Sequence, residues 1–559
     1  MPTISCSERD LLALIGEELD RDRLLSLLPL AKASFDGEED GKLRIELQDT
    51  NRPDLWSCEG IARQIRARLR GALPAYPFFR ARPPRAGGRI EVDAGLAAIR
   101  PIVGAFIARG VRVDEATLVQ IIQTQEKLCE GYGHKRREAA MGVYDASAIA
   151  FPVRYRAARP EEARFVPLGF EEPMTLEEIL REHPKGREYR RLVEACPRYP
   201  LLEDAAGTVL SFPPIINSRA LGEVAVGDDN LFVEVTGHDL QVVALVLNIM
   251  ACNFADRGWK IVPITAVYPY DTAAGREVTI PMDIACTLEV PLAGINQALG
   301  LTLAGKEVRE LLRAYGVAAQ LKPRGIVRAT APAYRADYMH PADVIEDIAI
   351  CRGYDGFAPL MPAAFTVGGL APSTLFADRV RQELVGYGFQ EVFSNVLMSR
   401  EEARTRLRID APLVEIENYV ADTYAVVRDR LLVSLLRVEA ASTKAQYPHQ
   451  IFEVGEVAVY DEAAVHGSRT EDRAAALMAS GEAGFSDMHS YLDALMYFLA
   501  RDYRLESRDA PFAIEGRAAV VRVGDKEVGV IAELHPEVLT AWGLEAPAAY
   551  FEINLSALA

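Results

Sequence analysis

Short runs of alternating apolar residues, each followed by a helix-like run or a turn rich in glycine or proline, recur along the whole sequence. The chain has 559 residues, of which 50% are hydrophobic and 25% charged. That length is enough for about three to five domains of ordinary size. Because strand-like and helix-like patterns are mixed within every part of the sequence, they predict a multidomain α+β protein.

Breaks in this pattern divide the sequence into four predicted domains. They are a small N-terminal domain at 1–88, a mixed α/β domain at 89–270, a small winged, DNA-binding-like domain at 275–356 and a C-terminal domain at 365–559. The stretch 78–88 is rich in proline, glycine and arginine and is typical of a linker.

Charge and cysteine usage narrow the class of protein. The net charge of -18 argues against a surface that binds nucleic acid everywhere, so any RNA contact should be local or supplied by a partner chain. Seven scattered cysteines without a CxxC pair favour a reducing compartment. The N-terminus has no basic segment typical of a signal peptide, and no apolar run of about 18 residues occurs. We therefore expect a soluble, cytoplasmic protein without a membrane partner.

Four carboxylates surround one predicted helix start in the stretch 331–353. Pro341 favours a helix N-terminus, because its missing N–H would be unpaired there in any case. The spacing then places Asp343, Glu346 and Asp347 on one helical face, with Asp337 on the incoming loop. Such oxygen ligands suit Mg²⁺, which needs only a few carboxylates. The pattern predicts a magnesium site, although acidic residues in a first helical turn also stabilise the helix dipole without a metal.

A second group of polar residues gathers at the ends of predicted strands between 209 and 239. Glu234 lies in the otherwise apolar strand LFVEVTG, where alternation places its side chain on one face with Phe232 and Thr236. A carboxylate in such a strand needs a partner or a ligand. Taken singly, these residues are also compatible with satisfied core or turn positions. The candidate site consists of Ser211, Asn217, Glu234, Thr236 and His238.

Six motifs in a fixed order carry a resemblance to a known family. Together they resemble the β subunit of phenylalanyl-tRNA synthetase, in the shorter archaeal and eukaryotic form. That form is expected to lack the appended tRNA-binding and anticodon-binding modules of the long bacterial form. The motifs span residues 49 to 457 and read DTNRPDLWSCEGIARQIR, PPIINS, LFVEVTGHD, PAYRADYMHPADVIEDIA, GYGFQEV and IFEVGEV.

The resemblance implies an α2β2 heterotetramer in which the α subunit uses ATP to attach phenylalanine to tRNA(Phe). It implies a B1-like N-terminal domain, a B3/4-like editing domain, a B5-like magnesium-binding domain and a class II catalytic-like C-terminal domain with an antiparallel sheet. The magnesium ligands would be the four carboxylates of the acidic motif. We expect the last domain to be inactive, because no glycine-rich run with a terminal arginine follows residue 480. Arg428 and Arg430 are candidates for a phosphate-binding arginine, with a packing or surface role as the alternative.

An editing domain of this family hydrolyses tyrosine wrongly attached to tRNA(Phe). Such editing is needed because a hydrophobic pocket cannot strongly reject an isostere that only adds a hydroxyl. Glu234 would accept the phenol proton, and Ser211, Asn217 and Thr236 would orient the ester or the attacking water. Without a Ser-His-Asp or Cys-His arrangement, we favour direct attack by water, helped by the terminal ribose hydroxyl. His238 stands where the family commonly has a small residue and is either a local variation or an added proton-transfer group.

A basic run at Lys135, Arg136 and Arg137 interrupts this acidic chain. It is a candidate contact for the phosphates at the acceptor end of tRNA, and it is equally compatible with solvated loop charges. Two alternatives to an editing subunit remain open. One is a structural, tRNA-positioning subunit without editing activity. The other is a free-standing aminoacyl-tRNA deacylase, which the large fourth domain argues against.

Overall fold

A computed structural model describes residues 2–80, 88–222, 224–442 and 444–558. The chain divides into two units, Met1–Leu360 and Met361–Ala559. Residues 81–87, most of the predicted linker, lie outside the described residues. Each unit mixes helices with sheets, so the predicted multidomain α+β class is confirmed.

The N-terminal domain forms around a three-stranded antiparallel sheet of order β1-β3-β2. Alternation of Leu43, Ile45 and Leu47 turns one face of β3 into the core. Ser57 caps α3 by accepting a hydrogen bond from the backbone N–H of Gly60. The elements are β1 (Thr3–Cys6), α1 (Glu8–Ile15), α2 (Arg21–Leu27), β2 (Ala33–Glu39), β3 (Lys42–Leu47) and α3 (Cys58–Arg70).

The second domain is built on a ten-stranded sheet backed by the apolar helix α7. Asp239 caps α7, accepting hydrogen bonds from the backbone N–H groups of Gln241 and Val242. Its first elements are β4 (Arg89–Val92), β5 (Ile102–Arg109), α4 (Glu115–Lys127), β6 (Ala139–Asp145), β7 (Val153–Ala158), β8 (Arg164–Phe165), β9 (Met174–Thr175), α5 (Leu176–Glu182) and α6 (Pro184–Tyr189). The rest are β10 (Tyr199–Glu203), β11 (Val209–Phe212), β12 (Ile216–Asn217), β13 (Asn230–Gly237), α7 (Leu240–Asp256), β14 (Lys260–Thr272) and β15 (Gly275–Ile280).

The ten-stranded sheet curls until its two ends meet. Its strand order is β12-β11-β10-β7-β4-β14-β5-β13-β6, with β15 paired to β14. Although β6 and β11 lie near opposite ends of this order, the Tyr144 hydroxyl of β6 is 2.9 Å from the Ser211 hydroxyl of β11. We call the line where the two ends meet the seam.

The third domain begins later than the sequence predicts. Residues 275–280 form β15 and pair with β14, so they belong to the preceding sheet. A three-stranded antiparallel sheet of order β16-β18-β17 and three helices follow. These elements are β16 (Thr287–Pro291), α8 (Leu292–Leu299), α9 (Gly305–Ala314), β17 (Ala318–Lys322), β18 (Ile326–Thr330) and α10 (Pro341–Arg352). As predicted, Pro341 is the first residue of α10.

The second unit contains a seven-stranded sheet of order β19-β22-β23-β27-β26-β25-β24, in which only the β19–β22 pair is parallel. Its first elements are α11 (Pro372–Gly386), β19 (Gln390–Glu391), β20 (Leu397–Met398), α12 (Arg400–Ala403), β21 (Val426–Val427), α13 (Leu432–Ala441), β22 (His449–Tyr460) and β23 (Ser468–Ala479). The rest are α14 (Phe485–Phe498), β24 (Arg504–Ser507), β25 (Ala513–Val523), β26 (Lys526–Leu534), α15 (Pro536–Ala541), β27 (Ala548–Asn554) and α16 (Leu555–Leu558). Across the described parts of both units, no helix combines the length and apolar character that crossing a membrane requires.

Candidate active site

Glu234 lies in the middle of β13 with its carboxyl group almost fully buried. The residue is 2% exposed. Oε1 accepts a hydrogen bond from the Tyr144 hydroxyl at 2.9 Å, whereas Oε2 has no hydrogen-bond partner among the described residues. A buried polar atom without a partner costs free energy, so this oxygen calls for a water or a ligand.

Burial also changes the protonation of this carboxyl group. Desolvation raises the pKa of Glu234 to about 8, against the opposing effects of the Tyr144 hydrogen bond and the positive charge of Arg100. At neutral pH the neutral acid is therefore the main form. A neutral carboxyl group carries one donor as well as acceptor capacity. The sequence analysis expects Glu234 to be a charged acceptor. The structure instead favours a neutral carboxyl group that can donate a hydrogen bond.

Tyr144 brings the predicted polar residues together. Its hydroxyl lies 2.9 Å from Ser211 Oγ, 2.9 Å from Glu234 Oε1 and 3.4 Å from Asn217 Oδ1. Ser211 and Asn217 are themselves directly opposite each other in the β11–β12 pair. Three of the five predicted site residues therefore converge on one phenol oxygen at the seam.

A cavity of about 580 Å³ opens beside this group, lined by Glu234, Ser211 and Asn217. That volume lies within the range of small-molecule sites. Most of the wall is apolar and comes from α4, β6 and the loop before β12. Its apolar residues include Leu118, Ile121, Ile122, Met141, Val143, Pro213, Pro214, Ile215 and Ile216. Polar lining residues away from the seam are Gln125, Glu126, Arg136 and Lys185. The combination of a largely apolar wall with the polar group around Glu234 suits an aromatic side chain that carries one polar atom.

The other two predicted residues do not line the cavity. Thr236 is fully buried, and its hydroxyl accepts a hydrogen bond from Arg100 Nε at 2.9 Å. His238 is exposed beyond the end of β13. Strand alternation groups Thr236 with Glu234, but the Thr236 hydroxyl is bound by Arg100 and does not line the cavity.

The basic run forms a loop that Arg100 holds in place. His134, Lys135 and Arg136 all have positive φ angles, of 49°, 53° and 64°. Such backbone conformations persist only where surrounding contacts hold them. Arg100 donates hydrogen bonds to the carbonyl oxygens of Arg136 and Arg137, at 3.1 and 2.9 Å.

The three basic side chains of this loop have different environments. Arg136 lines the cavity, donates to the carbonyl oxygens of Pro214 and Ile215, and stacks over Tyr189 at 4.3 Å. Lys135 and Arg137 are exposed. Among the described residues, the Arg137 side chain pairs only with its neighbour Glu138, at 2.9 Å on the surface. These last two side chains are therefore more accessible to a phosphate than Arg136.

In the acidic motif, the carboxylates predicted to bind magnesium are bound by other groups of the protein. Asp337 and Asp347 both accept hydrogen bonds from the buried guanidinium of Arg335, at distances from 2.6 to 3.1 Å. Burial alone would raise the pKa of Asp337, but the charge of Arg335 and its hydrogen bond hold that pKa well below its usual range. Asp347 also accepts a hydrogen bond from the Tyr338 hydroxyl at 2.7 Å.

The other two carboxylates of the motif face different partners. Asp343 accepts hydrogen bonds from the backbone N–H groups of Met339 and His340, and so caps α10. Glu346 is paired with Lys32 of the N-terminal domain at 2.8 Å. Among the described residues, no group of three or more His, Cys, Asp or Glu side chains is placed to hold a metal ion. In this arrangement the four carboxylates do not fit a magnesium cage.

Arg428 of the second unit is a packing residue. It is 2% exposed, pairs with Glu453 at 2.6 Å and donates to the Ser434 hydroxyl at 3.1 Å. Arg430 pairs with its neighbour Asp429 at 2.9 Å. Because their guanidinium groups are taken up by these carboxylates, the geometry favours the packing role over phosphate binding.

Sequence reasoning missed Tyr144, Arg100 and Arg335. Tyr144 gives little signal in the sequence, because a tyrosine in an apolar strand is ordinary. The one hint is Gly142 two residues earlier, since a glycine inside a strand often marks a close approach. The sequence does contain a signal for Arg335, because an arginine inside an acidic motif is the nearest cation available to the carboxylates of that motif.

Comparisons with known proteins place this geometry in a family. Residues 288–354 match the family described as tRNA synthetase B5 domain, and residues 358–555 match the phenylalanyl tRNA synthetase beta chain CLM domain. The phenylalanine–tRNA ligase beta subunit of Borrelia turicatae is 38% identical over 564 residues, covering 100% of both chains. That of Borreliella burgdorferi strain ZS7 is 37% identical, covering 100% of this chain and 99% of its own.

A solved structure agrees with these relatives. It is an N-terminal fragment of the phenylalanyl-tRNA synthetase beta subunit from Pyrococcus horikoshii, with a TM-score of 0.59 and 41% identity, covering 63% of this chain and 100% of the fragment. The fold and the matched domains are those of an aminoacyl-tRNA synthetase component. More narrowly, the chain belongs to the family of phenylalanine–tRNA ligase beta subunits. Because the curated relatives of equal length are bacterial, the restriction to archaeal and eukaryotic forms is not confirmed.

Proposed function

We propose that this chain edits within a phenylalanine–tRNA ligase, hydrolysing tyrosyl-tRNA(Phe) in the cavity beside Glu234. A partner α subunit would attach phenylalanine with ATP. The observation that carries the proposal is Oε2 of Glu234, which has no partner among the described residues and belongs to a side chain lining a largely apolar cavity. Such a cavity can hold an aromatic ring, and Glu234 can form a hydrogen bond with a polar atom at the tip of that ring.

Selection of tyrosine over phenylalanine follows from the cost of an unsatisfied polar group. A bound tyrosine would bring its phenol oxygen to the neutral carboxyl group of Glu234 and accept a hydrogen bond from it. Phenylalanine would leave the same carboxyl group buried and unpaired. Sites built to hydrogen-bond a hydroxyl reject analogues that lack it far more strongly than hydrophobic pockets reject an added hydroxyl.

The chemical step is hydrolysis of an ester. Water attacks the carbonyl carbon of the aminoacyl ester, the bond to the ribose oxygen breaks, and free tyrosine and tRNA leave. Ser211 and Asn217 line the cavity and are suited to orient the ester or the water. The described part of this domain offers no Ser-His-Asp or Cys-His arrangement at the cavity, so a positioned water with help from the terminal ribose hydroxyl remains the favoured nucleophile. Thr236 and His238 are not assigned a contact with the substrate.

Exposed apolar side chains in the second unit support a partner chain. Exposed apolar surface that gathers into one large patch marks a protein–protein interface. Among the described residues of this unit, six large apolar residues are at least 89% exposed, which supports an α subunit docked on it in an α2β2 assembly: Met361, Phe365, Val367, Phe393, Val420 and Val465.

The direct test is hydrolysis of tyrosyl-tRNA(Phe) by the reconstituted complex. Glu234→Ala should slow this hydrolysis at least about tenfold while leaving phenylalanine attachment intact, because the change lies in a separate cavity. Glu277→Ala, at an exposed position of β15, is the matched control. Equal hydrolysis by wild type and Glu234→Ala would refute the editing proposal and favour a structural, tRNA-positioning subunit.

A further inference from the structure

The phenol of Tyr144 occupies one oxygen of Glu234 and leaves the other without a partner among the described residues. We propose that Tyr144 is a positioning residue that sets the specificity of this site: it holds Oε1 and thereby presents Oε2 to the substrate. This inference rests on the proposed function and adds the residue that orients its recognition group.

The proton count at the seam gives the hydrogen bonds a direction. The Tyr144 hydroxyl has one proton but two oxygen neighbours at 2.9 Å, Ser211 Oγ and Glu234 Oε1. Glu234 Oε1 accepts the Tyr144 proton, in the hydrogen bond that lowers the pKa of Glu234, so this proton is not available to Ser211. The consistent arrangement is that Ser211 donates to Tyr144 and Tyr144 donates to Glu234 Oε1. The carboxyl proton is then placed on Oε2, where a substrate phenol can accept it.

Local packing holds Tyr144 at the seam. The residue is fully buried, and its ring packs against Phe232 with centroids 6.0 Å apart. In the β6–β13 pair Gly142 lies directly opposite Glu234. A Cβ atom at Gly142 would lie 2.0 Å from the Tyr144 hydroxyl oxygen and 2.7 Å from Glu234 Oε1. The missing side chain at Gly142 is therefore what lets the phenol reach the carboxyl group.

The same contact links the site to pH. The ionisable groups facing Glu234 are Tyr144, Arg100 and Tyr155. Of these, Tyr144 donates a hydrogen bond that lowers the pKa of Glu234. Removing that donor should raise this pKa further and extend the neutral form to higher pH.

The test compares Tyr144→Phe with wild type in the reconstituted complex. We expect the ratio of tyrosyl-tRNA(Phe) to phenylalanyl-tRNA(Phe) hydrolysis to fall about tenfold, because the carboxyl group is no longer held in one orientation. We also expect the pH at which tyrosine-specific hydrolysis is lost to move upward. Tyr268→Phe is the control, because it removes another buried tyrosine hydroxyl of the domain, one that donates to the Val103 carbonyl oxygen and does not line the cavity.

A second measurement does not depend on hydrolysis. Infrared difference spectra against Glu234→Gln follow the neutral carboxyl group during a pH titration, and its midpoint should be higher in Tyr144→Phe than in wild type. If wild type hydrolyses tyrosyl-tRNA(Phe) but Tyr144→Phe keeps the wild-type ratio and midpoint, the positioning role is refuted and the editing proposal stands. If wild type hydrolyses tyrosyl-tRNA(Phe) no faster than Glu234→Ala, the editing proposal is refuted, and the specificity role of Tyr144 is refuted with it.

Discussion

Arg335 donates two hydrogen bonds to the carboxylate of Asp347, from Nη1 to Oδ2 at 2.9 Å and from Nη2 to Oδ1 at 3.1 Å. The same guanidinium donates to Asp337, which lies 4.0 Å from the buried Arg52 of the N-terminal domain. Arg52 in turn pairs with Asp54. These buried charges form one network that joins the N-terminal and third domains within the first unit.

Removing Arg335 should destabilise the protein strongly. Arg335→Met would leave Asp337 and Asp347 buried without their cation, which costs about 3–5 kcal/mol when one partner of a buried pair is removed. Arg328→Met is the control, because Arg328 is exposed and reaches Glu289 only at 3.9 Å. In denaturant unfolding of the full chain, the free energy of unfolding should fall strongly for Arg335→Met and change by no more than about 0.5 kcal/mol for Arg328→Met. Equal losses would contradict the network.

Magnesium should contribute little to the stability of this chain. Each carboxylate of the acidic motif already has a guanidinium, ammonium or backbone N–H partner, so a metal would have to displace one of them. We expect the unfolding temperature to be the same with a chelator and with added Mg²⁺. If Mg²⁺ raises the unfolding temperature of wild type but not that of an Asp343→Ala, Glu346→Ala double variant, the magnesium site expected from the sequence is supported.

Periodicity predicted much of the local structure of this motif but not its partners. Pro341 does begin α10, and the spacing does place Asp343, Glu346 and Asp347 near one another along the helix. Which cation each carboxylate meets depends on the packing of α10 against the N-terminal domain, and Lys32 is more than 300 residues away in sequence. Spacing along one helix carries no information about such contacts.

The same limit applies to the candidate active site. The sequence singles out Glu234 because a carboxylate in an apolar strand is unusual, and it groups Ser211 and Asn217 with it correctly. Tyr144 was missed because its contact with Ser211 exists only once the sheet curls and its two ends meet. Strand alternation places Thr236 in the candidate site, because it predicts the face on which a side chain lies. It does not predict the neighbour of that side chain, which for Thr236 is Arg100.

Glu234 should make the stability of this protein fall as pH rises. The folded-state pKa of about 8 lies above the unfolded value near 4.5, so between these values the unfolded state has lost a proton that the folded state retains. Stability contributed by the neutral group is full at low pH and declines across that window, by up to about 1.4 kcal/mol per pH unit. Glu234→Gln cannot ionise, so its stability relative to wild type should increase steadily from pH 5 to pH 8. A stability difference that does not change with pH would contradict the raised pKa.

Gly142→Ala should displace Tyr144 and impair editing. The added methyl group would lie 2.0 Å from the Tyr144 hydroxyl oxygen and 2.7 Å from Glu234 Oε1, closer than any real contact, so these side chains would have to move apart. We expect tyrosyl-tRNA(Phe) hydrolysis to fall about tenfold or more while phenylalanine attachment by the complex continues. Gly294→Ala provides the control, because a Cβ atom there meets nothing within 4 Å. Wild-type hydrolysis by Gly142→Ala would show that the close approach at Gly142 is unimportant.

The basic loop should divide into residues that contact RNA and one that braces the cavity. Lys135 and Arg137 are exposed, so a Lys135→Ala, Arg137→Ala double variant should weaken tRNA binding and reduce the salt dependence of editing, by about 0.7 in logarithmic slope for each lost phosphate contact. Arg136→Ala should instead slow hydrolysis equally at every salt concentration, because its guanidinium holds the carbonyl oxygens of Pro214 and Ile215 at the cavity wall. Lys306→Ala with Arg309→Ala removes two exposed charges from α9 and serves as the control. An unchanged slope in the Lys135, Arg137 variant would leave this loop without an RNA contact.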